Sequence, residues 1–391
     1  MLEIKDTPNK NMPKVMVIGI GGGGNNAITR MMTDPSDHVS YAALNTDAMT
    51  LDSCPSQIRL QLGTKLTQGF GAGGDPTMGE AAAKESEEEI TELVKDANMV
   101  ILTCGMGGGT GTGAIPIVAQ ICRNLNILTI AVVTMPFSFE SKPRVYAAQA
   151  GIKKLEQSID TLLVIQNDKL LTITDKPFYM DEAFDLADSV LKHTISGITN
   201  IIFNHGTINL DFNDLKSTLK DKGYGLFGIG IAKPEETLVD AMEKAMCSPL
   251  LDTSITGASN ILINTSGKVD IVALNKALEC IREQAGENVN IFWGTVSEKS
   301  DSTDIVVTLI ATGMKQVKST NTIPDDVKKQ MPVQPAPLPA AKAPVEPRID
   351  TFKQVNINGN NPMPPLKEYK FQVKPTTLQV PDFLKKHSSQ L

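Results

Sequence analysis

Short, predominantly apolar runs alternate with longer mixed stretches through the first half of the chain. Lys14-Val15-Met16-Val17-Ile18-Gly19 is one such run, and Val39 to Leu44, 99–104, 127–133 and 161–166 are others. Continuous apolar runs of this length read as strands covered on both faces. The stretches between them read as helices, one starting near Ala27 and a Glu-rich one after Pro76. Strands alternating with helices predict a parallel α/β sheet.

The pattern then lengthens. From Asp181 to Asn204 a helical periodicity runs with Gly197 as its one glycine and no proline, and Phe184, Leu186, Val190, Leu191, Ile195 and Ile198 give it apolar faces. At 1.5 Å per residue such a helix is about 36 Å long, the width of a domain, and is a candidate spine between two domains. A second block follows, with strands expected at Leu226–Ala232, Asn260–Asn264, Asn290–Val296 and Asp304–Ile310 and helices near 235–246 and 271–284. The predicted fold is therefore α/β: a Rossmann-like parallel-sheet domain, a long central helix, and a second, smaller α/β or α+β domain.

Composition adds a tail to this picture. Twelve of the 23 prolines lie between Pro324 and Pro381, Val333 to Pro347 is Pro/Ala-rich, and Asn356 to Asn361 is Asn/Gly-rich. Such a segment cannot bury enough apolar surface to fold and reads as a flexible linker. It ends in Leu378-Gln379-Val380-Pro381-Asp382-Phe383-Leu384-Lys385-Lys386, where apolar anchors and lysines suggest a docking peptide, with a plain disordered terminus the equal alternative. The expected divisions are an N-terminal extension (1–13), a nucleotide-binding domain (14–180), the central helix (181–205), a C-terminal domain (206–316), a disordered linker (317–377) and a terminal peptide (378–391).

The net charge of −7, with one Trp and five Tyr, argues against nucleic-acid binding and against a membrane-surface protein. Five widely spaced cysteines without a CxxC, and four scattered histidines, predict reduced thiols and no metal site. No run reaches the roughly 18 apolar residues of a membrane span, and Met1 to Lys14 lacks an apolar signal core.

The chemistry concentrates in glycine. Gly107-Gly108-Gly109-Thr110-Gly111-Thr112-Gly113 sits between an apolar strand and an apolar helix. Glycine lets backbone N–H groups approach a ligand, and the first N–H groups of a helix are unpartnered and partly positive, so this is a phosphate loop. Gly19-Ile20-Gly21-Gly22-Gly23-Gly24 satisfies the dinucleotide pattern G-x-G-x-x-G, and Asp47, near the end of the second strand, is suitably placed for a ribose, so an NAD-dependent oxidoreductase is one reading. Against it stand the four consecutive glycines followed by Asn25-Asn26, and a third glycine-rich loop, Gly71-Ala72-Gly73-Gly74-Asp75-Pro76. Three such loops at one sheet edge suit a nucleoside triphosphate better than a pyrophosphate. No G-K-[ST] follows any of them, which excludes a P-loop NTPase.

Gly107 to Gly113 matches the tubulin signature G-G-G-T-G-T-G at every position. With the other motifs, the chain resembles the tubulin/FtsZ family of GTPases, in its bacterial cell-division branch, from about Lys14 to Ile310 and again over Val380 to Lys386. The resemblance implies GTP and GDP as substrate and product, with Mg²⁺ expected on the phosphates. It implies phosphate contacts from Gly21, Gly22, Gly23 and Asn25 in the first loop and from Gly107, Gly108, Gly109, Thr110, Gly111, Thr112 and Gly113 in the signature loop. Thr46 and Asp47 would lie at the nucleotide edge, with Ala72 and Gly73 near the γ-phosphate. Glu140 would hold the ribose with Arg144 nearby, Asn167 and Asp188 would read guanine, and Phe184 would stack on the base. Phe184 and Asp188, four apart, share a helix face. By themselves Phe184 reads as core packing and Asp188 as a solvated helix charge, and Glu140 with Arg144 reads equally as a surface ion pair; only the surrounding motifs point the other way.

The resemblance further implies that Asp211 and Asp214, with Asn209, act on the attacking water. Helix length puts them tens of ångströms from the phosphates of their own subunit, so they would serve a neighbour stacked head to tail, and a contact of that kind builds a filament. From the residues alone, Asp211 reads as the N-cap of a helix over 213–220, a role that can coexist with catalysis. The implied setting is the cytoplasm, at the midcell division ring, with membrane-tethering adaptors and regulators bound through Val380, Pro381, Phe383, Leu384, Lys385 and Lys386, and no direct membrane insertion. A plasmid-partitioning or archaeal relative and a non-catalytic, nucleotide-assembled scaffold are the alternatives within this resemblance. Ser141, where the family usually has Gly, with Pro143 soon after, and Asn213, where Ala is common, depart from the pattern.

Overall fold

The computed structural model describes residues 12–171, 179–203, 211–233, 235–248, 251, 254–266, 270–296 and 305–314. The first half runs β1 (Val15–Ile20), α1 (Gly21–Met31), β2 (Val39–Asn45), α2 (Ala48–Ser53), β3 (Ile58–Gln61), α3 (Thr64–Thr67), α4 (Pro76–Glu85), α5 (Glu87–Val94), β4 (Met99–Gly105), α6 (Thr110–Asn124), β5 (Leu128–Met135), α7 (Lys142–Leu155), β6 (Thr161–Gln166) and α8 (Asn167–Leu170). Then come α9 (Met180–Phe203), α10 (Phe212–Leu219), β7 (Gly223–Ala232), α11 (Leu238–Met246), β8 (Asn260–Ser266), α12 (Ile271–Ala285), β9 (Asn290–Val296) and β10 (Ile305–Thr312).

The strands form one sheet in the order β3-β2-β1-β4-β5-β6-β7-β10-β8-β9. The first six pair in parallel. They keep the 3-2-1-4-5-6 order of a doubly wound sheet, whose ligands bind where the order reverses, here between β1 and β4. β10 pairs antiparallel with both β7 and β8, and β8 pairs parallel with β9, so the second half is mixed. A short parallel pairing of Thr161 to Leu163 with Gly223 to Gly225 joins the halves.

The apolar runs read as doubly covered strands are so. In β1, Val15 and Val17 belong to the core shared with α1 and α9, while Ile18 and Ile20 belong to the core under α4 to α7. The spine helix α9 buries Ala183, Ala187, Leu191, Ile195, Ile198 and Ile201 in a core that also takes Leu262 and Ile310 from the second half. A third core lies between α11, α12 and the opposite face of β8 and β10.

Several boundaries differ from the sequence expectation, and three of them have a clear physical reason. The first helix begins at Gly21, not near Ala27, because the glycine run forms its opening turns. The Glu-rich helix is two helices broken at Ser86, whose buried hydroxyl accepts from the Gly63 N–H at 3.1 Å. The helix expected from 235 begins at Leu238, where Thr237 and Asp240 form a capping box.

Candidate functional site

β1 and β4 are neighbours, and each runs into a helix by a glycine turn at its C-terminal end. α1 starts directly after β1, with Gly21 at φ +71°, and α6 starts at Thr110 after Gly107 at φ +96°. Neither helix has a side-chain N-cap or an acid in its first turn. The first N–H groups of a helix have no partner within it and here receive no side-chain cap among the described residues, so two such N-termini side by side make a candidate anion site. Gly21, Gly22 and Gly23 line one wall of a cavity of about 310 Å³, and Gly108, Gly109, Thr110 and Gly111 line the next.

The glycines divide into two kinds. Apart from its immediate chain neighbours and its own helix backbone, a Cβ on Gly22 or Gly108 would meet nothing within 4 Å among the described residues, so these two leave open space beside the cavity. A Cβ on Gly113 would stand 2.0 Å from the Pro76 carbonyl oxygen, and one on Gly24 2.5 Å from that of Thr103. Gly113 thus lets α6 lie against α4 and does not line the cavity. Gly107 also stands back from it, donating its N–H to the buried Thr112 hydroxyl at 2.8 Å and so closing the loop. The Thr110 hydroxyl shares a 2.6 Å hydrogen bond with that of Thr46.

Other residues expected at the phosphate end form a supporting layer. Asn25 is buried, with its amide nitrogen facing the carbonyls of Gly21 and Leu44. Asp47 caps α2 by accepting from the N–H groups of Met49 and Thr50. The 71–74 turn, with Gly71, Gly73 and Gly74 all at positive φ, lies against the signature loop, since a Cβ on Gly109 would come 2.9 Å from Ala72 Cβ. Asn25, Thr46, Asp47, Ala72 and Gly73 do not themselves line the cavity.

At the far end the cavity is lined by Glu140, Arg144, Asn167, Phe184, Ala187 and Asp188. Ser141 caps α7 by accepting from the Arg144 N–H at 3.4 Å, and Pro143 sits in the first turn, where a missing N–H costs nothing. Two of the three residues that depart from the family pattern, Ser141 and Pro143, thus start the helix carrying Arg144. Arg144 pairs with Glu140, whose other carboxylate oxygen accepts from the Phe137 N–H at 3.0 Å. Asn167 is only 4% exposed, and its Oδ1 has no partner among the described residues. A buried amide oxygen without a donor is costly unless something in the cavity supplies one. The Phe184 ring meets those of Phe137 and Phe139 edge-on.

Asp188, 15% exposed in its side chain, has Arg30 Nε 3.4 Å from its Oδ2, and Arg30 also pairs with Asp185. Burial raises the Asp188 carboxyl to about 6, the Arg30 charge opposes the rise, and Asp185 adds to it. The sequence reading missed Arg30, because its partner Asp188 is 158 residues away and nothing local distinguishes it from any surface cation. It also missed Asn26, Met106 and Thr134, which line the same cavity.

Asp211 and Asp214 stand beyond the other end of α9 and do not line the cavity. Asp211 caps α10, accepting from the Asp214 N–H at 2.8 Å, so its expected capping role is present, on a helix that starts one residue earlier than expected. Asn209, the linker 317–377 and the peptide carrying Val380, Pro381, Phe383, Leu384, Lys385 and Lys386 lie outside the described residues. Among the described residues no cluster of His, Cys, Asp and Glu has the makings of a metal cage, and no helix is long and apolar enough to cross a membrane.

Comparison with known proteins agrees with this geometry. Residues 14–175 match the model of the tubulin/FtsZ family GTPase domain, and residues 223–315 that of the FtsZ family C-terminal domain. An FtsZ dimer from M. jannaschii, solved empty, is 39% identical, with 77% of this chain and 88% of that chain aligned at a TM-score of 0.74. A point variant of M. jannaschii FtsZ gives 38% identity over 78% and 92% of the two chains, with a TM-score of 0.75. CetZ2 from Haloferax volcanii, a GTPγS-bound protofilament, shares the fold at 17% identity over 81% and 98%, with a TM-score of 0.67.

Proposed function

The chain belongs to the tubulin/FtsZ family of GTPases, and from that premise we propose that it binds GTP in the cavity between α1, α6 and α9 and hydrolyses it within a head-to-tail filament. One observation carries the reading. A single cavity has two uncapped helix N-termini at one end and two acceptors, the unpartnered Oδ1 of Asn167 and the Asp188 carboxylate, at the other. Guanine presents an N1–H and an exocyclic amine side by side, and adenine has no such donor pair.

In this reading the N–H groups of Gly21 to Gly23 and of Gly108 to Gly111 hold the phosphates. The open space beside Gly22 and Gly108 admits them, and the layer of Asn25, Thr46, Asp47, Ala72, Gly73, Gly107, Thr112 and Gly113 keeps the loops in shape. Glu140, braced by Arg144, meets the ribose, and Phe184 packs on the base. Mg²⁺, which the resemblance implies, would be held mainly by the nucleotide's phosphates and would offset their charge.

The acids that act on water come from the next subunit. α9 has 24 residues, about 36 Å at 1.5 Å per residue, with Asp188 near its start and Asp211 past its end. A subunit's own Asp211 and Asp214 are therefore out of reach of its own γ-phosphate. Supplied by a neighbour with Asn209, they orient the water whose oxygen bonds to the γ-phosphorus as the bond to the bridging oxygen breaks. Phosphoryl transfer asks for such positioning and for charge stabilisation. A repeating contact of this kind is open-ended and makes a filament. The M. jannaschii dimer and the CetZ2 protofilament are assemblies on the same fold.

The wider setting we infer is the cytoplasmic division ring at midcell. The GTPase domain (14–180), central helix (181–205) and C-terminal domain (206–316) form the polymer, and the linker (317–377) carries the peptide (378–391) that binds membrane-tethering adaptors. The test is light scattering with GTP and then GDP, with phosphate release followed in parallel and NAD as a binding control. GTP-dependent scattering with phosphate release is expected. Binding of NAD without GTP would overturn the reading, and scattering without phosphate release would leave a nucleotide-dependent scaffold.

A further inference from the structure

The fold brings an arginine to the base end of the cavity that no motif announces. Arg30 lies in the last turn of α1, the helix whose first turn forms the first glycine wall. Its Nε stands 3.4 Å from Asp188 Oδ2, and its Nη2 pairs with Asp185 Oδ1 on the same face of α9. Lys192 Nζ reaches back from α9 to the hydroxyl of Thr33, just past the end of α1, at 3.0 Å, so α9 is tied to the C-terminal end of α1 on both sides of Asp188.

Resting on the reading that the cavity takes guanosine nucleotides, we propose that Arg30 is the positioning residue for base recognition: it holds the Asp188 carboxylate in place so that Asp188 accepts from the guanine N1–H and exocyclic amine. Arg30 acts through Asp188 and is absent from the residues lining the cavity. A carboxylate has about four lone-pair directions, so Oδ2 accepts from Arg30 and still serves the base. The guanidinium fork is rigid, and its second arm is anchored on the more exposed Asp185, 65% open in its side chain, which fixes the angle at which the first arm meets Asp188.

The charges around Asp188 explain why a cation is needed there. Asp185 stands nearby on α9 and repels it, and α1 supplies Arg30. Glu140 and Arg144, across the cavity, are paired with each other. With Phe184 and Ala187 as its neighbours in the lining, Asp188 without Arg30 would be a desolvated carboxylate beside a second acid. Such a group takes up a proton. A protonated Asp188 has one oxygen turned from acceptor to donor and no longer matches guanine.

The test uses the full chain and its Arg30→Ala and Arg30→Lys variants. Binding of GTP and of ITP, which lacks the exocyclic amine, is titrated from pH 5 to 8. Wild type is expected to bind GTP more tightly than ITP above about pH 6 and to lose that preference below it. In Arg30→Ala the pH at which the preference disappears should rise by about one unit or more. At pH 7 its GTP affinity should fall about tenfold, with ITP affected less. Arg30→Lys should restore much of the preference, because it restores the charge. Thermal melts of the nucleotide-free variants check the fold. Equal loss of GTP and ITP with an unmoved pH midpoint, or no loss at all, would overturn the proposal while leaving GTP as the ligand. Failure of wild type to bind GTP would overturn the functional reading and this inference with it.

Discussion

Gly113 lies beneath Pro76 so closely that a Cβ on it would stand 2.0 Å from the Pro76 carbonyl oxygen. The last glycine of the signature loop is therefore a packing residue, the point where α6 and α4 touch. Gly108, five positions earlier in the same loop, has nothing within 4 Å of where its Cβ would be among the described residues, its chain neighbours aside. One loop thus holds a glycine the fold requires and a glycine only a ligand would require.

Gly113→Ala should accordingly destabilise the protein, by about 1–3 kcal/mol or more, because the helix pair must separate to admit a methyl group. Gly108→Ala and Gly22→Ala should stay within about 0.5 kcal/mol of wild type. Their GTP affinity should nevertheless fall about tenfold or more, equivalent to about 1.4 kcal/mol. Urea melts and equilibrium GTP binding on the three variants separate the two effects. Wild-type affinity in Gly108→Ala would show that the ligand does not approach there.

In the proposed site, Asp188 would set recognition against stability. Its carboxyl titrates near 6 in the fold against an ordinary 3.8, because burial disfavours the charge more than Arg30 restores it. Between those values the folded chain holds a proton that the unfolded chain has released, so stability falls as pH rises through that window. Asp188→Asn should therefore be more stable than wild type above pH 6, by about 1–3 kcal/mol, with the advantage vanishing below pH 4. The same variant should bind GTP poorly at every pH. Paired thermal melts at pH 4 and 7.5 test the sign, and a variant less stable at pH 7.5 would contradict it.

The two acids at the far end of α9 should separate as well. Asp211→Ala removes the cap of α10 and should cost about 1 kcal/mol of stability, whereas Asp214→Ala leaves the cap bond in place and should cost less. Both should keep GTP affinity and lose turnover by about tenfold or more. Loss of GTP affinity in either variant would place that acid in its own subunit's site.

A site completed by a neighbour makes turnover depend on assembly. Phosphate release per molecule should rise steeply with protein concentration and then level off. Mixing wild type with excess Asp214→Ala should depress the rate of each wild-type molecule. A rate per molecule independent of dilution is incompatible with acids supplied in trans.

Much of this was legible in the chain because it is local. Strand–turn–helix at Gly107 to Gly113 follows from an apolar run, glycines and an apolar helix in succession, and Asp211 as a cap follows from its place before α10. The 3.6-residue periodicity of α9 alone predicted a helix of the observed length. The start of α1 was misplaced because glycine propensity disfavours a helix that β1 and β4 impose by packing, with Gly24 pressed against the Thr103 carbonyl. What the linear chain determined was the inventory: the strands, the helices, the glycine loops and the acids. Tertiary structure alone decided which glycines face the cavity and which face another helix, that the Asn167 oxygen has no partner among the described residues, and that Arg30 meets Asp188 across 158 positions. The reason is physical. Local pattern encodes backbone geometry, whereas burial, cavity and charge pairing arise only when distant segments are brought within a few ångströms.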